Sequence, residues 1–146
     1  MSPTMINLLL KSLAETLYML SISAVLAAII GIPLGILLVV TEKNNILSCS
    51  MLNKPLSFLI NMVRSIPFII LMVAIIPLTR LVAGTSIGTT AAIVPLTLAA
   101  IPYTARMVET SIREIPFGLI EAAESMGATP IQIICKVLIP LSLIHI

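Results

Sequence analysis

The sequence predicts an all-α protein, a polytopic integral membrane helix bundle. Of its 146 residues, 59% are apolar and only 10% are charged, whereas about 25% of residues in a typical soluble domain are charged. The apolar residues are grouped into runs long enough to form membrane helices. The net charge of +2 is too small to indicate a nucleic-acid partner. We expect a single domain, residues 1–146, with three spans and a helical element outside the membrane.

The first span is predicted at about residues 16–41. No charged residue lies between Glu15 and Glu42, and a helix of this length crosses a hydrocarbon core of about 30 Å. The pattern Ser12-Leu13-Ala14-Glu15 has the form of a capping box, which predicts that the helix starts there. Three residues that favour close packing or a kink lie in its second half: Gly31, Pro33 and Gly35.

The second span is predicted at about residues 56–78, between Lys54 and Arg80. It contains one charge, Arg64, which would lie inside the membrane if the helix were regular.

The third span is predicted at about residues 89–105, within a stretch that has no charged side chain. Pro95 and Pro102 should bend this helix, because each removes one intrahelical hydrogen bond.

The distribution of basic residues predicts the orientation, since short cytoplasmic loops are enriched in Lys and Arg. With the N-terminus outside, the outer side holds Lys11 and Arg80. The inner side then holds Lys43, Lys54, Arg106, Arg113 and Lys136. This excess predicts that the N-terminus is outside and that residues 106–140 lie in the cytoplasm.

Residues 106–140 are predicted to form two short helices joined by a tight turn. Pro116 suits the start of the first helix and Gly127 its left-handed end. Thr129, Pro130 and Gln132 have the pattern that starts a second helix, and Pro140 is expected to end it. One apolar stripe is predicted on each helix: Ile115, Leu119, Ala122, Ala123 and Met126 on the first, and Ile131, Ile134, Cys135 and Leu138 on the second.

Such a hairpin could lie on the lipid surface or act as a rigid lever between the membrane and a soluble motor. An amphipathic helix on a lipid surface is expected to have a basic polar face. The polar face here carries Glu114, Glu121 and Glu124, which favours the lever.

Nothing in the sequence indicates an enzyme or a metal site. Cys49 and Cys135 are far apart and are expected to be free thiols packed as small apolar residues. His145 has no Cys or carboxylate cluster beside it. The sequence has no catalytic triad pattern and no Gly-rich phosphate loop, so we expect no cofactor to be bound by this chain.

The hairpin carries the pattern through which the chain resembles a known family, the inner-membrane permeases of ABC importers. Their cytoplasmic signature is Glu-Ala-Ala, three residues, Gly, nine residues, then Ile, any residue, Leu and Pro. This chain keeps the spacing and differs by two aliphatic exchanges: Glu121, Ala122, Ala123, Gly127, Val137, Leu138, Ile139 and Pro140. Further segments resemble the methionine-uptake branch, among them Arg64 to Phe68, Gly84 to Gly88, Ala105 to Glu109 and Met126 to Pro130.

The resemblance implies a homodimeric permease in the bacterial inner membrane. Two cytoplasmic subunits would bind and hydrolyse ATP with Mg, and a substrate-binding lipoprotein would dock on the outer face. The residues that would couple the permease to the ATPase are Glu121, Ala122, Ala123, Met126, Gly127, Ala128, Thr129 and Pro140. Methionine, D- or L-, is the expected substrate, with another amino acid or small solute as the alternative.

The resemblance also implies five spans, because permeases of this branch continue into two more membrane helices after the Leu-Pro position. This chain ends at Ile146, so we expect a product truncated at its C-terminus. A fragment that inserts in the membrane without transporting is therefore a further alternative.

Four residues are candidates for a role in the pathway or in its structure: Arg64, Pro67, Pro102 and Tyr103. Arg64 could bind a substrate carboxylate, because a charge inside the membrane is costly and often functional. The alternative, which we favour, is that Arg64 bonds to backbone carbonyls or reaches toward the cytoplasmic surface. Pro102 and Tyr103, with Thr97 and Thr104, are expected near the kink of the third span.

Overall fold

The computed structural model describes residues 3–42 and 50–141. All regular elements in these ranges are helices, which confirms the predicted all-α fold. They are α1 (Pro3–Val40), α2 (Ser50–Ser65), α3 (Phe68–Ala74), α4 (Ile76–Ala83), α5 (Thr89–Arg113), α6 (Phe117–Ser125) and α7 (Pro130–Ile133), which continues into a π-helical turn (Ile134–Leu138). In the described ranges, α1 and α5 are long and apolar enough to cross a membrane, and α2 with α3 adds a third span if this bent pair counts as one.

Helix α1 begins at Pro3, well before the helix start that the sequence predicts at Ser12. The capping-box prediction is therefore wrong, and Ser12 lies inside the helix, where its carbonyl accepts a hydrogen bond from the Thr16 hydroxyl. The residues before Ser12 are mostly Leu, Met, Ile and Lys, and several of these are strong helix formers. Because extending an existing helix costs little, a capping pattern does not stop a helix whose preceding residues are also helical.

The second predicted span is not one regular helix. The chain turns by 106° between α2 and α3, and α4 follows after a single residue, Ile75. Pro67 causes the first break, because proline lacks an N–H group and disfavours helical geometry at the residue before it. Pro77 lies in the first turn of α4, where proline is tolerated. Arg64 thus lies in the last turn of α2, next to the break, and is exposed.

Helix α5 begins at Thr89, as the sequence predicts, but continues to Arg113 instead of ending near residue 105. It is continuous through Pro95 and Pro102, and both prolines are buried. The charges after residue 105 mark the end of the apolar stretch, but they do not mark the end of the helix.

Glycines in α1 allow it to pack directly against α5. A Cβ atom on Gly31 would lie 2.7 Å from Cβ of Thr104, and one on Gly35 would lie 2.5 Å from the carbonyl oxygen of Ala105. Both distances are too short for any side chain, so only glycine fits. Small residues spaced by four allow membrane helices to approach closely. The close packing expected from Gly31 and Gly35 is therefore present.

The larger buried apolar cluster lies where α1 and α5 end, and we call it the hairpin base. It joins both membrane helices to α6 and to the helix that follows. Its buried members are Val39, Val40, Val108, Ile112, Ile115, Ile120, Ile133 and Leu138. The start of α2 is held at the same end, since the Asn53 side-chain amide donates to the Leu38 carbonyl over 2.6 Å.

Candidate functional site

The predicted hairpin is present, and its turn is made by Gly127. Pro116 is the N-cap of helix α6, whereas the sequence predicts it in the first turn. The helix ends at Ser125. Gly127 has φ +78°, a conformation that residues with a Cβ rarely adopt. Its N–H donates to the Glu124 carbonyl (2.9 Å), and the next N–H, of Ala128, donates to the Ala123 carbonyl (3.1 Å). This Schellman arrangement satisfies carbonyls at the helix end.

The second helix of the hairpin starts at the capping box that the sequence predicts. Thr129 is its N-cap, Pro130 is in its first turn, and the Thr129 N–H donates to the Gln132 side-chain oxygen over 2.9 Å. The turn between the two helices is thus fixed by hydrogen bonds on both sides. The relative direction of the helices is set by the backbone.

Pro140 does not end this helix, contrary to the prediction. The helical segment runs from Pro130 to Leu141, the last described residue. Its middle, Ile134–Leu138, is a π-helical turn, in which the Ile139 N–H donates to the carbonyl of Ile134, five residues earlier. A proline ring ordinarily clashes with the carbonyl four residues before it. The wider π-helical turn just before Pro140 accommodates that ring.

The hairpin buries a different face from the predicted stripes. Ile115 is buried as expected, but the buried residue within α6 is Ile120, whereas Leu119 and Met126 are exposed. On the second helix Leu138 is buried as expected. However, the position most buried before the π-helical turn is Ile133, and Ile131 is 73% exposed. When a short helix is apolar on more than one side, its sequence does not show which side packs inward. Here the turn at Gly127 sets which side of each helix faces the hairpin base.

The surface left outside carries most of the residues expected to couple to an ATPase. Glu121, Ala122, Gly127 and Thr129 are exposed, and Met126 is 87% exposed. Ala123 and Ala128 are half-buried because they pack against the hairpin base. A groove of about 310 Å³ lies between the two helices. Its lining consists of Ala123, Met126, Gly127, Ala128, Gln132, Lys136 and Val137.

Cys135 is a free thiol, but it is exposed and not packed as expected. It faces outward because the hairpin base is filled by its neighbours Ile133 and Leu138. Cys49 and His145 lie outside the described residues. Among the residues that the structure describes, no group of three His, Cys, Asp or Glu side chains could hold a metal ion.

The last turns of α5, next to the hairpin, carry an ion-pair cluster that the sequence analysis did not predict. Glu109 of α5 is 3% exposed and pairs with Arg106 and with Arg113 (2.7 Å). Arg106 also donates to Asn61 and Ser57 of α2, at 2.7 and 3.2 Å. Arg113 also reaches Glu42, after the end of α1, at 3.2 Å. The spacing of opposite charges at i, i+3 and i+4 would have revealed the pairs within α5, but not the contacts to α1 and α2.

Two of the four pathway candidates come together. Arg64 and Tyr103 line both a groove of about 330 Å³ between α2 and α5 and an adjoining groove of about 290 Å³ near the break before α3. The larger groove also contains Arg106 and Glu114. Pro67 forms the break beside these residues, whereas Pro102 is buried and lines neither groove. The side chain of Arg64 has no hydrogen bond or ion pair with residues 3–42 or 50–141, so the predicted contacts with backbone carbonyls are not formed there.

Comparison with known proteins settles the family. The model of a family described as "Binding-protein-dependent transport system inner membrane component" matches residues 31–146. The chain belongs to this family. As a member with long apolar helices, it is a protein of the inner membrane.

Individual relatives are similar over nearly the whole chain. The probable D-methionine transport system permease protein MetI of Vibrio cholerae is 54% identical over 134 residues, which cover 92% of this chain and 60% of the relative. The D-methionine transport system permease protein MetI of Escherichia coli (strain K12) is 52% identical over 140 residues, 96% of this chain and 64% of the relative. The chain therefore spans less than two thirds of the length of these curated relatives.

A solved structure shows the same fold. The chain matches a structure described as "Inward facing conformations of the MetNI methionine ABC transporter: CY5 native crystal form" with a TM-score of 0.95 and 52% identity. The match covers 98% of this chain and 66% of that one.

Proposed function

We propose that this chain is the membrane-spanning permease part of an ATP-driven importer for methionine, D- or L-. The observation that carries the proposal is the likeness to proteins named as D-methionine permeases, 54% identical to this chain in one case. The hairpin supports it independently, because an exposed helical lever fixed to the ends of two membrane helices is what transmission of movement requires. Hydrolysis of ATP, with Mg, belongs to a partner, and this chain itself binds no cofactor.

The proposed assembly contains a second copy of the permease, two cytoplasmic ATP-binding subunits and a substrate-binding lipoprotein on the outer face. The hairpin would seat in a groove of the ATPase. Its exposed Met126 and Glu121 suit such an interface, in which an apolar anchor is surrounded by polar contacts. The ATPase would thereby move the ends of α1 and α5.

We infer further that the N-terminus lies outside and the hairpin in the cytoplasm. The ends of α1 and α5 meet at the hairpin base. This end of the molecule also carries the basic residues Lys54, Arg106, Arg113 and Lys136. Concentration of Lys and Arg at one end of the membrane helices supports a cytoplasmic location for that end.

The groove between α2 and α5 is the proposed stretch of the pathway within this chain. Its lining includes Arg64, Tyr103 and Glu114. A guanidinium and a carboxylate in one groove suit a zwitterionic solute such as an amino acid.

Uptake in a strain that lacks its own methionine permease tests the proposal. The chain is expressed from its native gene together with the ATPase and the binding protein, and uptake of labelled D- and L-methionine is compared with that of other amino acids. We expect methionine uptake that stops when ATP is depleted and is absent with an empty vector. Uptake of another amino acid in its place would support the alternative substrate, and no uptake at all would contradict the proposal.

A further inference from the structure

The buried carboxylate of Glu109 connects three helices. It lies on α5, one turn before the helix ends, and its side chain is 4% exposed. Arg106 pairs with one of its oxygens and Arg113 with the other. Burial of an unpaired carboxylate is costly, and the two arginines compensate for that cost here.

Each arginine extends the connection to another helix. The Arg106 guanidinium donates to the side-chain oxygens of Asn61 and Ser57, which links α5 to α2. The Arg113 guanidinium contacts Glu42, which links α5 to the end of α1. Both arginines that pair with Glu109 therefore also contact a second part of the bundle.

The same turns of α5 hold the hairpin. Val108 and Ile112, on either side of Glu109 in sequence, are buried in the hairpin base with Ile120 of α6 and Ile133 of α7. The apolar face packs α5 against α1 and the hairpin, and the charged face adds polar links to α2 and to Glu42 after the end of α1. The hairpin's own turn uses backbone hydrogen bonds around Gly127, which do not involve Glu109.

We propose that Glu109 is a positioning residue for energy coupling: through Arg106 it holds α2 to the end of α5 that carries the hairpin, so that movement of the hairpin reaches the groove lined by Arg64 and Tyr103. The inference rests on the proposed function. Arg106 contributes to both the ion-pair cluster and that groove, which makes it the physical link between them. Loss of the Glu109 charge would leave the hairpin folded and able to dock, while its movement would no longer be passed to α2.

The experiment measures how many substrate molecules are imported per ATP hydrolysed, in proteoliposomes that contain the complete complex and the binding protein. Glu109→Gln keeps the size of the side chain and removes its charge. Glu15→Gln is the matched control, because Glu15 is an exposed glutamate in the first half of α1, far from the cluster. We expect Glu109→Gln to lower the ratio about fivefold or more, the lower end of typical coupling between sites. The ATPase should still co-purify, and Glu15→Gln should keep the wild-type ratio.

Glu109→Asp, which keeps the charge, should retain more of the ratio than Glu109→Gln. If Glu109→Gln does not assemble, Asn61→Ala takes its place, because Asn61 is exposed and its loss removes the shorter of the two hydrogen bonds that link Arg106 to α2. An unchanged ratio in whichever variant assembles overturns the inference and assigns Glu109 to folding alone. Absence of methionine import by the wild type would instead contradict the proposed function.

Discussion

The hairpin base and the α3–α4 segment (Phe68–Ala83) are both largely apolar, but they are held in place very differently. The hairpin base buries apolar side chains from α1, from α5 and the residues just after it, from α6 and from the second hairpin helix, and several are almost fully enclosed, such as Ile133 and Leu138 at 1% exposure. In α3 and α4 the buried residues are Leu71 and Thr79, while Ile69 and Leu81 are 71% and 83% exposed.

The difference agrees with the roles proposed for the two regions. The hairpin is positioned by contacts within its own chain, which suits the lever proposed above. The α3–α4 segment presents apolar side chains outward, which lipid or a neighbouring protein surface can accept at no cost. Substitutions that change internal geometry should therefore act strongly at the hairpin base and weakly in α3–α4.

The largest effect is expected at the hairpin turn. Gly127→Pro cannot adopt φ +78° and loses the N–H that donates to the Glu124 carbonyl. It should abolish co-purification of the ATPase while the chain still inserts into the membrane. Gly127→Asn is the control, because asparagine tolerates the left-handed conformation, and it should retain most of the association. Normal ATPase binding by Gly127→Pro would show that the turn is not part of the docking surface.

An intermediate effect is expected where α1 packs on α5. A Cβ at Gly35 would lie 2.5 Å from a backbone oxygen, whereas one at Gly118 of α6 would meet nothing within 4 Å. Gly35→Ala should destabilise the permease by about 1–3 kcal/mol, as overpacking does, and should lower its Tm in detergent. Gly118→Ala should leave the Tm unchanged or raise it slightly. Equal Tm values for the two variants would contradict the close packing of α1 and α5.

The smallest effect is expected from a pair of threonine substitutions. The Thr97 hydroxyl of α5 is buried and has no hydrogen-bond partner among the described residues. The Thr79 hydroxyl in α4 donates to the Ile75 carbonyl over 3.0 Å. Thr97→Val should therefore leave the Tm unchanged or higher, and Thr79→Val should lower it by the equivalent of about 1 kcal/mol or less. A clear loss of stability in Thr97→Val would mean that this hydroxyl has a partner outside the described chain.

Sequence reasoning was most successful where a local rule decides the structure. The left-handed turn at Gly127 and the capping box at Thr129 follow from backbone chemistry that a few neighbouring residues fix. Composition alone was sufficient for the all-α fold. The predicted start of α1 was wrong because helix-forming residues lie on both sides of the capping pattern. The long apolar run around Pro67 predicts one continuous span. The backbone restriction that proline imposes breaks the helix there instead.

The candidate site was only partly predictable, for a different reason. Which hairpin face turns inward depends on tertiary packing, so Ile120 and Ile133 could not be separated from Leu119 and Ile131 by helical period. The contacts of Arg106 with Asn61 and of Arg113 with Glu42 join residues 45 and 71 positions apart. No spacing rule within one helix reveals such pairs.

Cysteine cross-linking across the two regions tests the central claim most directly. In a background with Cys49→Ser and Cys135→Ser, single cysteines are placed at Met126 in the hairpin and at Leu81 in α4; both native side chains are more than four-fifths exposed, at 87% and 83%. If the hairpin is the cytoplasmic lever, Met126→Cys cross-links to the ATPase subunit and Leu81→Cys does not. Cross-linking from Leu81→Cys, or none from Met126→Cys in a complex that retains its ATPase, would contradict the assignment of the hairpin as the coupling element.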